Sequence, residues 1–274
     1  MNGSVPLGQY IKKDSFIHKL DPRTKILCLI AFVAGILIPD TFVGLGAAMA
    51  FFAIVVQFSK IGWMTIIKSL KAVMFILIIS VIINLFMTSG NVLISIGPLT
   101  ITEEGLKLCV RLILRLFLIV AASSIVTFTT TPTQLTEGIS SLLSPLKKIK
   151  VPVEVFSMIT AIALRFIPTL YEEAGRIVMA QKSRGADFES RNIAKKFRSY
   201  ISIIVPLLVS AFIRADELAN AMDARGYDSR GERTHLNVLR FGYRDLMALI
   251  AMLVLAGAVV ASEVIFASVG FLQM

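Results

Sequence analysis

Apolar residues fall in long blocks along this chain, not in the short alternations of a water-soluble core. Residues 26–38 are apolar, Pro39 and Asp40 break the run, and residues 41–58 are apolar again, which predicts a helical hairpin with a short first arm. A polar stretch at 59–71 carries Lys60, Lys68 and Lys71, and residues 72–87 then run apolar with Asn84 as the strongly polar member. In "TSGNVLISIGPLTITEEG" the residues Gly90, Gly97 and Pro98 separate two alternating stretches, the pattern of a small hairpin or an irregular loop. "TEEG" at Thr102 supplies a cap and early acidic residues, so a helix should restart there and run to about Thr131, where Pro132 interrupts it. The last apolar run, residues 246–272, is broken only by Glu263.

A bilayer core about 30 Å thick takes roughly 20 apolar residues of helix to cross, so these blocks predict about five spans. Composition agrees: 56% of 274 residues are hydrophobic and the mean hydropathy is +0.79, yet the formal net charge is +10. The expected fold class is an all-α polytopic membrane protein, with membrane helices in 1–131, a charged helical region in 132–244 and a final span in 245–274. No secretory signal is visible in residues 1–25, so the first span is expected to direct its own insertion.

The middle region holds 17 of the 28 Lys and Arg residues and 11 of the 18 acidic ones. Its two apolar blocks, "VPVEVFSMITAIALRFIPTL" and "YISIIVPLLVSAFI", could hide further spans. If the first crossed, Lys182, Arg184, Arg191, Lys195, Lys196 and Arg198 would lie outside, against the tendency of Lys and Arg to stay in the cytoplasm. Long amphipathic helices at the cytoplasmic face are therefore expected, bent or started by Pro168 and Pro206. With residues 1–25 inside (five Lys and Arg against two Asp), the loop at Asp40 is outside, 60–71 inside, and 88–104 outside without a Lys or Arg. That places Lys107, Arg111 and Arg115 near the outer end of the fourth span, on one helix face. Glu263, at about 27 Å of helical rise, reaches a similar depth. Two readings follow: Arg111 or Arg115 pairs with Glu263, or the arginines snorkel to lipid phosphates.

Candidate chemistry narrows the picture mainly by what is missing. His18 and His235 have no Cys or carboxylate at ligand spacing, so no metal site and no directly bound cofactor is expected. Cys28 and Cys109 sit in apolar surroundings and suit reduced thiols. No glycine-rich phosphate loop appears, so the chain carries no nucleotide motor, and its basic residues suit a membrane surface or an acidic protein better than nucleic acid. A stand-alone channel or secondary transporter would need ionisable groups at mid-membrane, and a membrane enzyme would need paired carboxylates or a His/Asp set at one depth. The small residues Gly44, Gly46, Ala47, Ala48 and Ala50 favour close helix approach, either internally or against a partner.

One phrase occurs twice. "MAQKSRGAD" (179–187) and "NAMDARGYD" (220–228) share, 41 residues apart, Ala180 with Ala221, Arg184 with Arg225, Gly185 with Gly226 and Asp187 with Asp228. Each reads as a helix in its last turn, an arginine, then a glycine at the left-handed position that closes the helix. Asp187, Asp223 and Asp228 are expected to cap or orient these ends. With "HKLDPRTKIL", "ITEEGLKL", "ALRFIPTLYEEAGRIVMAQKSRGADF" and "PLLVSAFIRADELANAMDARGYD" followed by Arg233 and Thr234, the sequence resembles the transmembrane T component (EcfT) of energy-coupling factor transporters, the vitamin and metal-ion importers of prokaryotes. The family's two x-Arg-x motifs map onto Ser183-Arg184-Gly185 and Ala224-Arg225-Gly226, with Ser183 where alanine is frequent. The resemblance implies a non-catalytic subunit of the cell membrane whose long coupling helices bind two ABC-type ATPases through these arginines. It implies too that the chain holds a separate substrate-binding S component, and that ATP is used by the partners.

Overall fold

The computed structural model describes residues 10–39, 41–71, 73–96, 99–228 and 241–271. Asp40, Ala72, Gly97, Pro98 and the stretch with Arg233, Thr234 and His235 lie outside the described residues. In chain order the elements are α1 (Pro22–Leu37), α2 (Phe42–Ser59), α3 (Trp63–Leu70), α4 (Met74–Met87), β1 (Val92–Ile96), β2 (Leu99–Thr102), α5 (Glu103–Thr129), α6 (Pro132–Leu142), a 3-10 turn Ser144–Ile149, α7 (Val153–Ser183), α8 (Ile193–Ala224) and α9 (Tyr243–Phe271). Among the described residues the architecture is helical apart from one antiparallel hairpin, β1–β2, which settles the choice left open at 88–101. Two compact units emerge. The larger, labelled the membrane unit for its apolar helices, takes in the described residues of 8–142 and 239–274; the smaller, labelled the coupling unit after the helices expected there, takes in those of 143–238.

In the membrane unit, α5 packs on α1, α2, α3 and α4, while α9 packs on α1 and α2. The core runs through Phe32, Ile36, Leu45, Phe52, Val56, Ile66, Leu118 and Ile125. Helix starts follow from local chemistry. Asp21 caps α1 by accepting from the Arg23 N–H at 2.9 Å, with Pro22 in the first helical position where no N–H is required. Thr102 caps α5 by accepting from the Gly105 N–H at 3.1 Å, as "TEEG" predicts. Pro132 interrupts α5 and also begins α6, which the hydropathy pattern did not predict. Thr131 and Gln134 form a reciprocal capping box there: the Thr131 N–H donates to Gln134 Oε1 (3.1 Å) and the Gln134 N–H to Thr131 Oγ1 (3.3 Å). The small-residue stripe of α2 divides. A Cβ on Gly44 would meet Pro39 Cβ at 2.8 Å and Ser262 Oγ at 3.2 Å, and Ala48 is buried, whereas Gly46 faces open space and Ala50 is exposed.

By length and apolarity, α2, α5, α7 and the Tyr243–Glu263 part of α9 are long enough to cross a membrane, and α3 with α4 qualifies as one span bent by 64°. At 16 residues α1 spans about 24 Å, the short arm the pattern predicts. Length alone admits α7 as a span, so charge placement carries the argument for its position.

The coupling unit is a helix pair. Pro168 lies inside the 31 residues of α7 and Pro206 inside the 32 residues of α8, so neither proline starts a helix. Glu173 of α7 accepts from Ser210 Oγ at 2.5 Å and pairs with Arg214; Gln181 Nε2 donates to the Ser202 carbonyl at 3.3 Å; Ser199 Oγ donates to the Asp187 carbonyl at 3.0 Å. Pairing positions fall along α7 as they rise along α8, so the two helices run antiparallel.

Candidate functional site

The repeated phrase forms two copies of one helix end. At the first, the Ala186 N–H donates to the Gln181 carbonyl (3.0 Å) and the Gly185 N–H to the Lys182 carbonyl (3.0 Å), with Gly185 at φ +84°. At the second, the Tyr227 N–H donates to the Met222 carbonyl (3.0 Å) and the Gly226 N–H to the Asp223 carbonyl (2.9 Å), with Gly226 at φ +69°. Both are Schellman closures, which satisfy the last free carbonyls and need a residue without strain at positive φ. Each therefore fixes its C-cap residue, Arg184 or Arg225, at the tip of a long helix. Both arginines are exposed, and neither has an ion pair or a side-chain hydrogen bond among the described residues. Ser183 Oγ is occupied by the Met179 carbonyl (3.2 Å), and Ala224 and the two glycines leave the surroundings of the arginines sterically open. Asp187 orients its turn, accepting from the Glu189 N–H at 3.0 Å.

Because the helices are antiparallel, the two tips lie toward opposite ends of the pair. Arg184 stands near the level of Tyr200, so roughly 37 Å along α8 separates it from Arg225. At the position two residues before the arginine, the first copy carries Lys182 and the second Asp223, so the ends share backbone geometry and differ in charge.

At the end of the membrane unit that carries the α1–α2 turn, Arg111, Arg115 and Glu263 converge on that turn. An Arg115 guanidinium nitrogen donates to the Pro39 carbonyl at 2.7 Å, and Arg111 lies 5.7 Å from the centroid of the Phe42 ring. Glu263 Oε1 accepts from the Thr41 N–H at 3.0 Å and from Thr41 Oγ1 at 2.7 Å. Lys107 is compensated within α5 by Glu103 at 2.6 Å, one turn away.

Hydropathy does not flag the buried polar network at the opposite end. The Lys25 ammonium, 5% exposed, donates to the Thr129 carbonyl (2.9 Å), Thr130 Oγ1 (3.2 Å) and the His18 carbonyl (3.4 Å). Asp245 in the first turn of α9 accepts from the Asp21 N–H and the Gly242 N–H, each at 2.8 Å. These contacts join the start of α1, the end of α5 and the start of α9, the first helix after the chain returns to the membrane unit. A sequence signal existed: Asp21 before Pro22 marks a helix start, and Lys25 follows one turn later on the same face. His18 lies beside this network, with Nε2–H on the Ile11 carbonyl (2.9 Å) and Nδ1 accepting from Ser15 Oγ (2.6 Å).

Comparison with known proteins bears on both units. The family model CbiQ, described as cobalt transport protein, matches residues 13–236, which include the "HKLDPRTKIL" segment and both arginine ends. The chain is 43% identical over 262 residues to the energy-coupling factor transporter transmembrane protein EcfT of Ruminiclostridium cellulolyticum, covering 96% of this chain and 98% of that protein. It is 42% identical to the protein of the same name from Thermosediminibacter oceani, with 96% and 99% covered, and 41% identical to that of Streptococcus thermophilus, with 91% and 95% covered.

Proposed function

The chain belongs to the EcfT family, the transmembrane proteins of energy-coupling factor transporters, and from that premise we propose that it couples two ATPase subunits to a substrate-binding S component. As a multi-pass membrane subunit of such a transporter it works with other subunits; the finer assignment of contacts rests on the helix ends. The observation that carries it is the pair of matching arginine-tipped closures, rigid in backbone and open in space. A planar guanidinium held at a helix tip can take a carboxylate through two parallel hydrogen bonds, and two such tips serve two protein surfaces. Lys182 at one tip and Asp223 at the other would suit receiving grooves of different charge. In this reading α7 and α8 lie on the cytoplasmic side of a prokaryotic cell membrane, ATP-driven closure of the ATPases shifts the tips, and the S component selects the cargo and is reoriented. The chain itself makes and breaks no bond.

The test is capture of the ATPases by membranes carrying Arg184→Glu, Arg225→Glu or both. Reversing an interfacial charge should cost about 2–5 kcal/mol per tip, a loss of capture of roughly thirtyfold or more. Uptake should fall with it while the protein still reaches the membrane. Unchanged capture by both single variants would overturn the assignment, and ATP hydrolysis by the purified chain alone would overturn its non-catalytic role.

A further inference from the structure

We propose that the membrane unit holds a specific site for an anionic phospholipid, with an acyl chain in an apolar cavity and the headgroup phosphate on Lys13 and Lys60. The cavity measures about 320 Å³ and lies among the segment before α1 and the helices α1, α2, α5 and α9. Its walls include Phe16, Phe32, Phe52, Val55, Ala122 and Ala248. The one charged residue among them, Lys25, spends its ammonium on the Thr129 and Thr130 oxygens, which leaves nothing to hold water there. An apolar void of roughly 150 Å³ already stays dry and takes up benzene, so a space about twice that size suits a length of hydrocarbon chain.

The mouth has the depth and the charge for a lipid. It opens at Phe58 in the last turn of α2 and Met247 in the first turn of α9, exposed by 60% and 57% respectively. These positions share one end of the bundle, because Lys25 ties the end of α5 to the start of α1 and Asp245 ties the start of α9 to it. Helix ends lie where headgroups lie. Beside the mouth, Phe16 and Phe58 meet with ring centroids 6.3 Å apart, and the Lys13 ammonium donates to the Lys60 carbonyl at 3.1 Å. That bond uses one of the three donors of Lys13 and holds the two exposed lysines together. The nearby acid, Asp14, is paired with Lys19 at 3.0 Å. Two cations held side by side next to an apolar opening match a phosphate carried on an acyl chain, and favour a headgroup with net negative charge over a zwitterionic one.

The chain contains one tryptophan, Trp63, whose ring meets the cavity wall at Phe52 with centroids 6.4 Å apart. The full chain would be reconstituted in vesicles with a rising fraction of phosphatidylglycerol or phosphatidylcholine brominated on the acyl chain, and Trp63 quenching recorded. Trp63 is itself accessible to bulk lipid, so the readout is the preference between the two lipids. Phosphatidylglycerol should half-quench at roughly a fivefold lower mole fraction, a preference that the surface double variant K13Q/K60Q abolishes and the cavity-filling Ala248→Phe reduces. Equal quenching by the two lipids in the unsubstituted chain, or a preference that survives K13Q/K60Q, would overturn the site. In the assembled transporter, anionic phospholipid should co-purify with the unsubstituted protein and be depleted by K13Q/K60Q. Its absence from the unsubstituted complex would assign the cavity to a partner's helix and overturn the proposal equally. Neither readout depends on the arginine ends, so this proposal and the ATPase reading stand or fall separately.

Discussion

The membrane unit and the coupling unit bury charge in opposite ways. In the membrane unit Asp21, Lys25 and Asp245 are each less than a tenth exposed, and the charged groups of Lys25 and Asp245 are held by groups of a second element. In the coupling unit Glu173 and Arg214 pair between the helices, while Arg184, Arg225 and the run Lys195, Lys196 and Arg198 stay exposed. Apolar packing divides the same way. Among the described residues, Val153 and Ile203 are the buried hydrophobic residues of the coupling unit, whereas Phe197 and Phe212 of α8 are 66% and 73% exposed. A helix pair with so small a core has less packing of its own to hold it than the membrane unit has.

Removing Lys25 is the largest test of that contrast. Lys25→Met keeps much of the volume but leaves the Thr129 carbonyl without its donor and removes the cation that attracts Asp245 and Asp21. Stripping one member from a buried charge network costs about 3–5 kcal/mol, so thermal unfolding of the purified protein should shift down strongly. Arg184→Ala, which removes an equally formal charge from an exposed tip, should change stability by less than about 0.5 kcal/mol while lowering ATPase capture. Similar unfolding midpoints for the two variants would erase the distinction between the units.

Glycine substitutions sharpen it at smaller scale. Gly44→Ala would drive a methyl against Pro39 Cβ at 2.8 Å, so the α1–α2 turn or α2 itself must move, at about 1–3 kcal/mol. At Gly185 and Gly226 there is open space around the new methyl, and the cost is the positive φ alone, about 1 kcal/mol each. The first should appear in global unfolding. The second should appear as a weaker grip on the ATPases with the global midpoint almost unmoved, because only a helix tip is loosened.

Much of this could be read from the sequence because hydropathy and caps are local. The "RG" phrases fixed both helix ends, "TEEG" fixed the start of α5, and the apolar blocks marked the membrane helices other than α3, which lies within a lysine-bearing stretch. What escaped was decided by contacts distant in sequence. Lys25 reaches Thr129 and Thr130, more than a hundred residues away, and no window of sequence reports that. The start of α6 escapes for another reason: Pro132 reads as a stop, although "TPTQ" also spells the capping box that begins the next helix. Rise per residue puts Arg111, Arg115 and Glu263 at one depth, but their common target, the α1–α2 turn, is set by the fold.

The smallest effect expected is one of pH, and it belongs to the membrane unit. His18 is held as the neutral ring, donating through Nε2 to the Ile11 carbonyl and accepting at Nδ1 from Ser15. Burial lowers its pKa below the ordinary 6.5; the Ile11 hydrogen bond and Asp14 oppose that, while the charges of Lys25 and Lys13 add to it. A histidine with a depressed folded pKa takes up its proton more readily when unfolded, so its contribution is present in full above about 6.5 and is lost as pH falls through the folded value. Unfolding midpoints measured between pH 8 and pH 5 should therefore decline on the acid side for the unsubstituted chain, and His18→Gln should flatten the part of that decline that begins near 6.5. The α7–α8 turn carries no histidine, so tryptic cutting there should not follow the same curve as cutting near Lys19. A parallel rise at both places would mean that the two units respond to acid as one.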